Sequence, residues 1–379
     1  MNNGKGPLAG LKVLELEGLG PAPFCGMMLA DMGAEVISLT RKSSDKARPD
    51  AVSERGKQSI AVNLKSPEGV ALVHRLCASV DVLIEGFRPG VAERLGIGPE
   101  DCMAHNPKLV YGRMTGWGQD GPLAQAAGHD LNYIALSGAL HGMGDPDRPP
   151  KPPLNLVGDF GGGGMFLAFG VMCAVYEAGR SGKGQVIDVS MVEGAATLMH
   201  MMYAWMADGR WQDKRGSNML DGAAHFYDSY ETSDGKYITL GAIEPQFYKL
   251  MRDKLELSDD EFDHQNDPQH WPSLKEKITA LIKTRTRDQW CELLEGSDVC
   301  FAPVLSMNEA PLHPHNQQRG SFFTQDGVVQ PSPAPKFSRT PAAQPESPAM
   351  AGQDNEAVML RLGYSVEEIG ALREQGILV

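Results

Sequence analysis

The start of the chain leaves it few folds to choose from. Leu11–Leu16 reads as a buried strand, Gly18-Leu19-Gly20-Pro21 as a turn, and the pattern through Met32 as a helix closed by Gly33. Glu35–Leu39 reads as the next strand. A strand–helix–strand unit of this kind builds a parallel sheet, so an α/β fold is expected. In open sheets of that type ligands bind beyond the carboxyl ends of the strands.

A dinucleotide site does not follow. The spacing G-x-G-x-x-G fails because Pro23 occupies the third glycine position, and Arg41 stands where an acidic residue is expected after the second strand. The result is a Rossmann-like half without a nicotinamide site. Basic residues recur just beyond it: Arg41, Lys42, Lys46, Arg48, Arg55 and Lys57. They read either as a solvated loop or as the cradle of a phosphate-bearing ligand.

At 379 residues the chain is long enough for two domains. A net charge of −13 and a pI near 5.3 argue against a nucleic-acid partner. Apolar stretches such as 165–176 read as too short to span a bilayer, so no membrane insertion is expected. The N-terminus has no apolar signal region and Ile377-Leu378-Val379 is no peroxisomal address, which together suggest a cytoplasmic, bacterial protein. Cys25, Cys77, Cys102, Cys173, Cys291 and Cys300 contain no C-x-x-C and read as buried free thiols. The ten histidines contain no H-E-x-x-H, and His313-Pro314-His315 reads as an exposed loop, so no metal is called for.

Further along, Ser66-Pro67 starts a helix, Asp81–Glu85 is a strand, and Gly86-Phe87-Arg88-Pro89-Gly90 is the turn beyond it, with Arg88 placed for a phosphate. Leu109–Met114 is another strand. The glycines at 161–164 lead into an apolar helix through Tyr176, followed by a strand at Gln185–Ser190 and one Met-rich helix at Met191–Met206. The expected domains are a large one at 1–206, a linker at 207–224, a smaller α+β domain at 225–320, and a proline-rich return with a C-terminal helix at 321–379 that packs on the large domain. In the small domain Asp234-Gly235 marks a hairpin, and Ser273…Glu276 and Thr286…Gln289 read as helix-starting capping boxes. Nine of the 26 prolines fall between 303 and 348, which favours an extended connection there.

Three segments place proton-handling groups at helix starts. They are Gly128-His129-Asp130, Asn155-Leu156-Val157-Gly158-Asp159 running into Gly161–Gly164, and Gly241-Ala242-Ile243-Glu244-Pro245. An imidazole and two carboxylates are the usual parts of a site that moves protons near neutral pH, and helix starts offer N–H groups to a developing oxyanion. Each residue also has a purely structural reading. His129 and Glu244 are acceptable first-turn residues, Asp159 an N-cap, and Asn155 a turn residue.

Taken together, the segments resemble the family III CoA-transferase superfamily and, within it, the α-methylacyl-CoA racemases. Gly6–Leu11, Leu29–Ala34, Asp81–Gly90 and Met114–Gln119 carry the superfamily likeness; Gly128–Tyr133, Asn155…Asp159 and Gly241–Tyr248 resemble the racemase site. The resemblance implies interconversion of (R)- and (S)-2-methylacyl-CoA thioesters by proton transfer without a cofactor. His129 and Asp159 would be the acid/base pair, with Glu244 beside the histidine and Asn155 beside the aspartate. CoA would be held by Arg41, by Val62, Asn63, Leu64 and Lys65, by Gly86, Phe87 and Arg88, by Arg94, and by Gly128, Asp130, Leu131, Asn132 and Tyr133. It also implies an interlocked homodimer that shares its sites between subunits. The alternative is a CoA-transferase with Asp159 as nucleophile. Transferases of the superfamily carry a GGGGQ-type loop, whereas Gly216-Ser217-Asn218-Met219-Leu220-Asp221-Gly222 stands here.

Overall fold

The computed structural model describes residues 6–41 and 52–379, so Lys42, Lys46 and Arg48 lie outside the described residues. The chain divides into two compact units. Met1–Ser137, Leu154–Leu198 and Gly320–Val379 make the first, and Gly138–Pro153 with Met199–Arg319 make the second.

The first unit runs β1 (Lys12–Leu16), α1 (Pro21–Asp31), β2 (Glu35–Thr40), β3 (Gln58–Ala61), α2 (Pro67–Cys77), β4 (Val82–Glu85), α3 (Val91–Arg94), α4 (Pro99–His105), β5 (Val110–Thr115), α5 (Asp130–Leu136), α6 (Met165–Ser181), β6 (Val186–Ser190) and α7 (Met191–Leu198). The six strands form one parallel sheet in the order β3-β2-β1-β4-β5-β6. The order reverses between β1 and β4, which creates a crevice at their carboxyl ends. Both faces of the central strands are covered. Leu14, Leu16 and Leu83 pack into one core with Leu72 and Leu76 of α2, while Val13, Val82 and Ile84 pack into another with Leu29 of α1 and Leu167 and Val171 of α6. Burial on both faces is why these strands read as continuous apolar runs rather than alternating ones.

Charges inside those runs are paired. Lys57 Nζ sits 2.8 Å from both carboxylate oxygens of the fully buried Glu15, and burial pushes the Glu15 carboxyl up to about 7. Gly26 makes room for this pair, since a Cβ there would stand 1.6 Å from Glu15 Oε2. Arg55 binds Asp31 through two nitrogens at 3.0 and 2.6 Å and also donates to Gln330 Oε1 and the Pro331 carbonyl. Arg55 and Lys57 are therefore internal struts and take no part in a phosphate cradle, which corrects that reading of the basic stretch.

Several other elements differ from expectation. β3 is an additional edge strand. The glycines at 161–164 do lead into α6, but as part of a π-helix, Leu156–Gly164, that runs directly into it. The continuous helix Leu156–Ser181 is long and apolar enough, by length and composition, to cross a bilayer. One face of it, Leu167, Val171, Ala174 and Ala178, is spent on the core of the first unit. Among the cysteines, Cys25, Cys77 and Cys102 are buried as expected, but Cys173 and Cys300 are exposed and Cys291 is half-buried; all six are free.

The second unit contains α8 (His200–Ala207), β7 (Tyr227–Glu231), β8 (Tyr237–Gly241), α9 (Pro245–Leu255), α10 (Trp271–Ile282), α11 (Arg287–Leu294), β9 (Phe301–Val304) and α12 (Pro314–Arg319). The Met-rich segment is thus two helices, α7 and α8, broken at Met199. Strands β7, β8 and β9 form an antiparallel sheet, with the β7–β8 turn at Gly235, whose φ is +72°. Phe226, Tyr248, Trp271 and Trp290 dominate its core. Thr286 caps α11 by accepting from the Gln289 N–H. Ser273 caps nothing: α10 already begins at Trp271, and the serine hydroxyl donates to Glu261.

The return segment belongs to the first unit and holds a hairpin, β10 (Phe322–Gln325) and β11 (Val328–Pro331), followed by two helices, α13 (Asn355–Arg361) and α14 (Val366–Glu374), where one was expected. This segment closes the β3 edge. Ser59 N–H donates to Asp354 Oδ2 at 2.7 Å, Ala61 N–H to Asn355 Oδ1 at 2.8 Å, and Val379 N–H to the Ala61 carbonyl at 3.1 Å.

Candidate active site

Two turns leave the sheet at the β1/β4 reversal, one after each strand. After β1 comes Glu17–Gly20, and Gly20 holds φ at +71°, a left-handed conformation that glycine adopts freely. A Cβ on Gly20 would stand 3.5 Å from Asp159 Oδ2, so Asp159 lies directly against this turn.

Asp159 is positioned by the π-helix. Its glycines allow α7 to approach at backbone distance: a Cβ on Gly162 would lie 2.6 Å from the Ala195 nitrogen, and one on Gly194 only 1.9 Å from the Gly162 carbonyl oxygen. The first N–H groups of a helix have no partner within it. Here Asp130 Oδ2 accepts from the Gly158 and Asp159 N–H groups, both at 2.7 Å. Asn155 Nδ2 donates to Asp159 Oδ2 at 3.1 Å. Burial raises the Asp159 carboxyl above its ordinary range; Asn155 and His129 pull against the rise, and the charge of Asp130 adds to it. A carboxyl whose affinity for a proton is increased by burial is a better proton acceptor than a solvated one.

His129 stands at the N-cap position of α5, just before the first turn, in extended backbone, and its side chain makes no capping hydrogen bond. Its main-chain N–H donates to Asn132 Oδ1 at 3.0 Å. The hydroxyl of buried Tyr133 donates to the Gly128 carbonyl, and the Trp117 ring packs edge-on against Tyr133 at 4.8 Å. The loop carrying the imidazole is thereby pinned while the exposed ring remains available. His129, Asn155 and Asp159 belong to the first unit. Glu244 belongs to the second, as the exposed N-cap residue of α9, with Pro245 at the first helical position and no capping bond to its carboxylate.

Of the residues expected at CoA, Arg88 and Arg94 are exposed at the carboxyl end of β4. The turn that carries Arg88 is held by Glu85, which accepts from the Phe87 N–H at 2.6 Å and from Arg113 Nε at 2.9 Å, while Arg113 also donates to Glu93 at 2.8 Å. Arg41 is exposed and weakly paired with Glu17 at 3.4 Å. Lys65 is exposed and Asn63 half-buried, but the side chains of Val62 and Leu64 point into the core. Asp130 is 5% exposed and its Oδ1 finds no hydrogen-bond partner among the described residues. Its Oδ2 is committed to the π-helix. Sequence reasoning missed this positioning role, and also that of the Glu85–Arg113–Glu93 network. For the network, the available signal was a charge inside an otherwise apolar strand, which requires a buried partner.

The profile described as CoA-transferase family III matches residues 8–355. The chain is 46% identical to mouse (Mus musculus) "Alpha-methylacyl-CoA racemase" over 375 residues, covering 98% of this chain and 97% of that protein. It is 44% identical to the human (Homo sapiens) protein of the same name over 375 residues, with the same coverage. The fold is similar to the crystal structure of a CAIB/BAIF family protein from Brucella suis, at TM-score 0.79 and 26% identity, covering 94% of this chain and 100% of that one. By sequence and by fold, the chain belongs to CoA-transferase family III.

Proposed function

We propose that this protein is a racemase of 2-methylacyl-CoA thioesters, moving the α-proton between the two faces of an enolate without metal, nicotinamide or other cofactor. The observation that carries the reading is Asp159, raised by burial and steadied by Asn155, with His129 near enough to act on its charge. An aspartate and an imidazole on separate segments suit a reaction that removes a proton on one face and returns it on the other. The identity of 44–46% to racemases along nearly the whole chain supports the same reading.

A thioester α-proton is weakly acidic, so the enolate oxygen needs donors as charge forms. The main-chain N–H groups of Asp130 and Leu131, in the first turn of α5, lack intrahelical acceptors and fit that task. Arg41, Arg88 and Arg94 would hold CoA phosphates. Glu244 of the partner subunit would orient His129 in an interlocked homodimer. Support for a dimer comes from an uncovered apolar stripe on the long helix, where Met165, Phe169 and Tyr176 are 47%, 70% and 69% exposed. Six unpaired cysteines fit a reducing compartment such as the cytoplasm.

The family match keeps a second reading in view, CoA transfer through an acyl adduct on Asp159. At 216–222 this chain has a turn closed on itself, in which Asn218 donates to the carbonyls of Gln212 and Lys214 and to Asp221. Proton NMR of a 2-methylacyl-CoA with the enzyme in deuterated water decides between them. Loss of the α-proton signal without change of thioester supports racemisation, whereas acyl exchange with a carboxylate acceptor and no α-exchange overturns it.

A further inference from the structure

The connection from α9 to α10 builds a cluster that proton transfer does not use. Asp260–His264 is a 3₁₀ turn, after which Asp267 N–H donates to the His264 carbonyl and His270 N–H to the Asp267 carbonyl, both at 3.1 Å. Three residues per turn bring positions i, i+3 and i+6 onto one face. His264, Asp267 and His270 accordingly stand together. The two imidazoles stack with centroids 4.3 Å apart and planes 10° from parallel. One ligand atom from each of the three side chains lies within 4.8 Å of the others.

The cluster is prepared from behind. His270 Nδ1 lies 3.2 Å from Glu261 Oε1, which turns that nitrogen to the carboxylate as donor, and Nε2 faces Asp267 Oδ2 at 3.9 Å. Glu261 is fixed in turn by the Ser273 hydroxyl at 3.0 Å and by Lys277 Nζ at 2.6 Å. Asp267 Oδ1 accepts from the Gln269 N–H at 3.0 Å, which leaves its second oxygen outward. A carboxylate behind an imidazole is the usual device that sets tautomer and ring orientation at a metal centre.

We propose that His264, Asp267 and His270 bind one borderline divalent transition ion of the zinc, nickel or copper class, through two imidazole nitrogens and one carboxylate oxygen. Two imidazoles select against magnesium and calcium, which prefer all-oxygen sites. Zinc–nitrogen bonds of about 2.0–2.1 Å need ligand atoms roughly 3.3 Å apart. As they stand the two rings are parallel and do not share a plane in which one ion could sit, so binding requires the exposed His264 ring to turn out of the stack. Water completes the shell, and the ion cross-links the 3₁₀ turn to the start of α10. The spacing H-x2-D-x2-H escapes the familiar helical metal motifs because it works only on a three-residue turn.

The test uses full-length, untagged protein stripped with chelator and titrated with zinc chloride by calorimetry. One zinc per chain is expected, with a rise in Tm. His264→Ala should lower affinity at least tenfold and remove the Tm response, and His264→Ala/His270→Ala should abolish binding. Glu261→Gln should weaken binding by about 10–100-fold, as loss of an outer carboxylate does. His264 is exposed, so its variant should fold and keep α-proton exchange. The visible spectrum of the cobalt-loaded protein should lack thiolate charge-transfer bands, which separates this site from the exposed Cys173 and Cys300. Stoichiometric zinc retained by the double variant, thiolate bands with cobalt, or no zinc bound by the parent would each overturn the proposal.

Discussion

Asp130 and Asp159 are joined through the main chain and opposed through their charges. Asp130 Oδ2 accepts the Asp159 N–H at 2.7 Å, and its negative charge, after burial, helps to raise the Asp159 carboxyl. One side chain thus fixes the place of the proposed base and adds to the rise that burial produces in its carboxyl. Asp130→Asn keeps the shape and removes the charge, so the Asp159 pKa should fall. The limb of the kcat–pH profile governed by Asp159 should move to lower pH, with little change in KM. A profile that stays put while KM rises would make Asp130 a ligand contact instead.

Separate bases predict asymmetric variants. His129→Ala should lose α-proton exchange from one pure enantiomer and keep some from the other, and Asp159→Ala should show the reverse. Racemisation should fall by about 10²–10⁴-fold in both, the usual contribution of a positioned acid–base group. Deuterium uptake from each enantiomer, followed separately by NMR, is the measurement. Equal loss from both enantiomers in both variants counts against one base per face.

Arg88 stands on a turn that Glu85 and Arg113 hold rigid. Arg88→Ala should weaken CoA binding and flatten its dependence on salt, because one screened ionic contact is gone. Arg41→Ala should act the same way, since its bond to Glu17 is long and exposed. Calorimetric titration with CoA at two ionic strengths checks both. Unchanged affinity would return these arginines to the solvated surface.

Acid should loosen the second unit through His225. This ring is fully buried; its Nε2 meets the Tyr248 hydroxyl at 2.7 Å, and its Nδ1 has no partner among the described residues. Tyr248 in turn donates to the Phe262 carbonyl, so His225 Nε2 carries the proton. Burial lowers the His225 pKa from 6.5 to about 4. The folded state then binds fewer protons than the unfolded one between those values, so stability is complete above pH 6.5 and lost as pH falls toward 4. The full loss is about 3 kcal/mol. His225→Leu should remove most of that slope in denaturant titrations followed by the fluorescence of Trp271 and Trp290.

Much of this architecture is legible where local and tertiary preferences agree. The β1-α1-β2 unit, the Asp234-Gly235 hairpin and the Thr286 cap follow from apolar runs and turn chemistry alone. What escapes is set by distant partners. Arg55 and Lys57 look like surface charges until Asp31 and Glu15 are seen beside them. Gly161–Gly164 has low helix propensity, yet it is helical where it packs closely against α7. Gln58–Ala61 is too short to announce a strand, and it becomes one through β2. At the site, His129, Asp159 and Asn155 stand out by their neighbours in sequence, whereas the role of Asp130 depends on a backbone 28 residues away.

The closure of β3 imposes an order on biosynthesis. The Ser59 N–H waits for Asp354, 295 residues later. At about 5–20 residues per second, that is roughly 15–60 s of translation with an open strand edge, a template for mispairing with other chains. The intervening second unit can form meanwhile, but the sheet cannot be sealed. A ribosome that stops short of residue 354 therefore releases a polypeptide with a complete second unit and a sticky sheet, a natural substrate for chaperones and proteases.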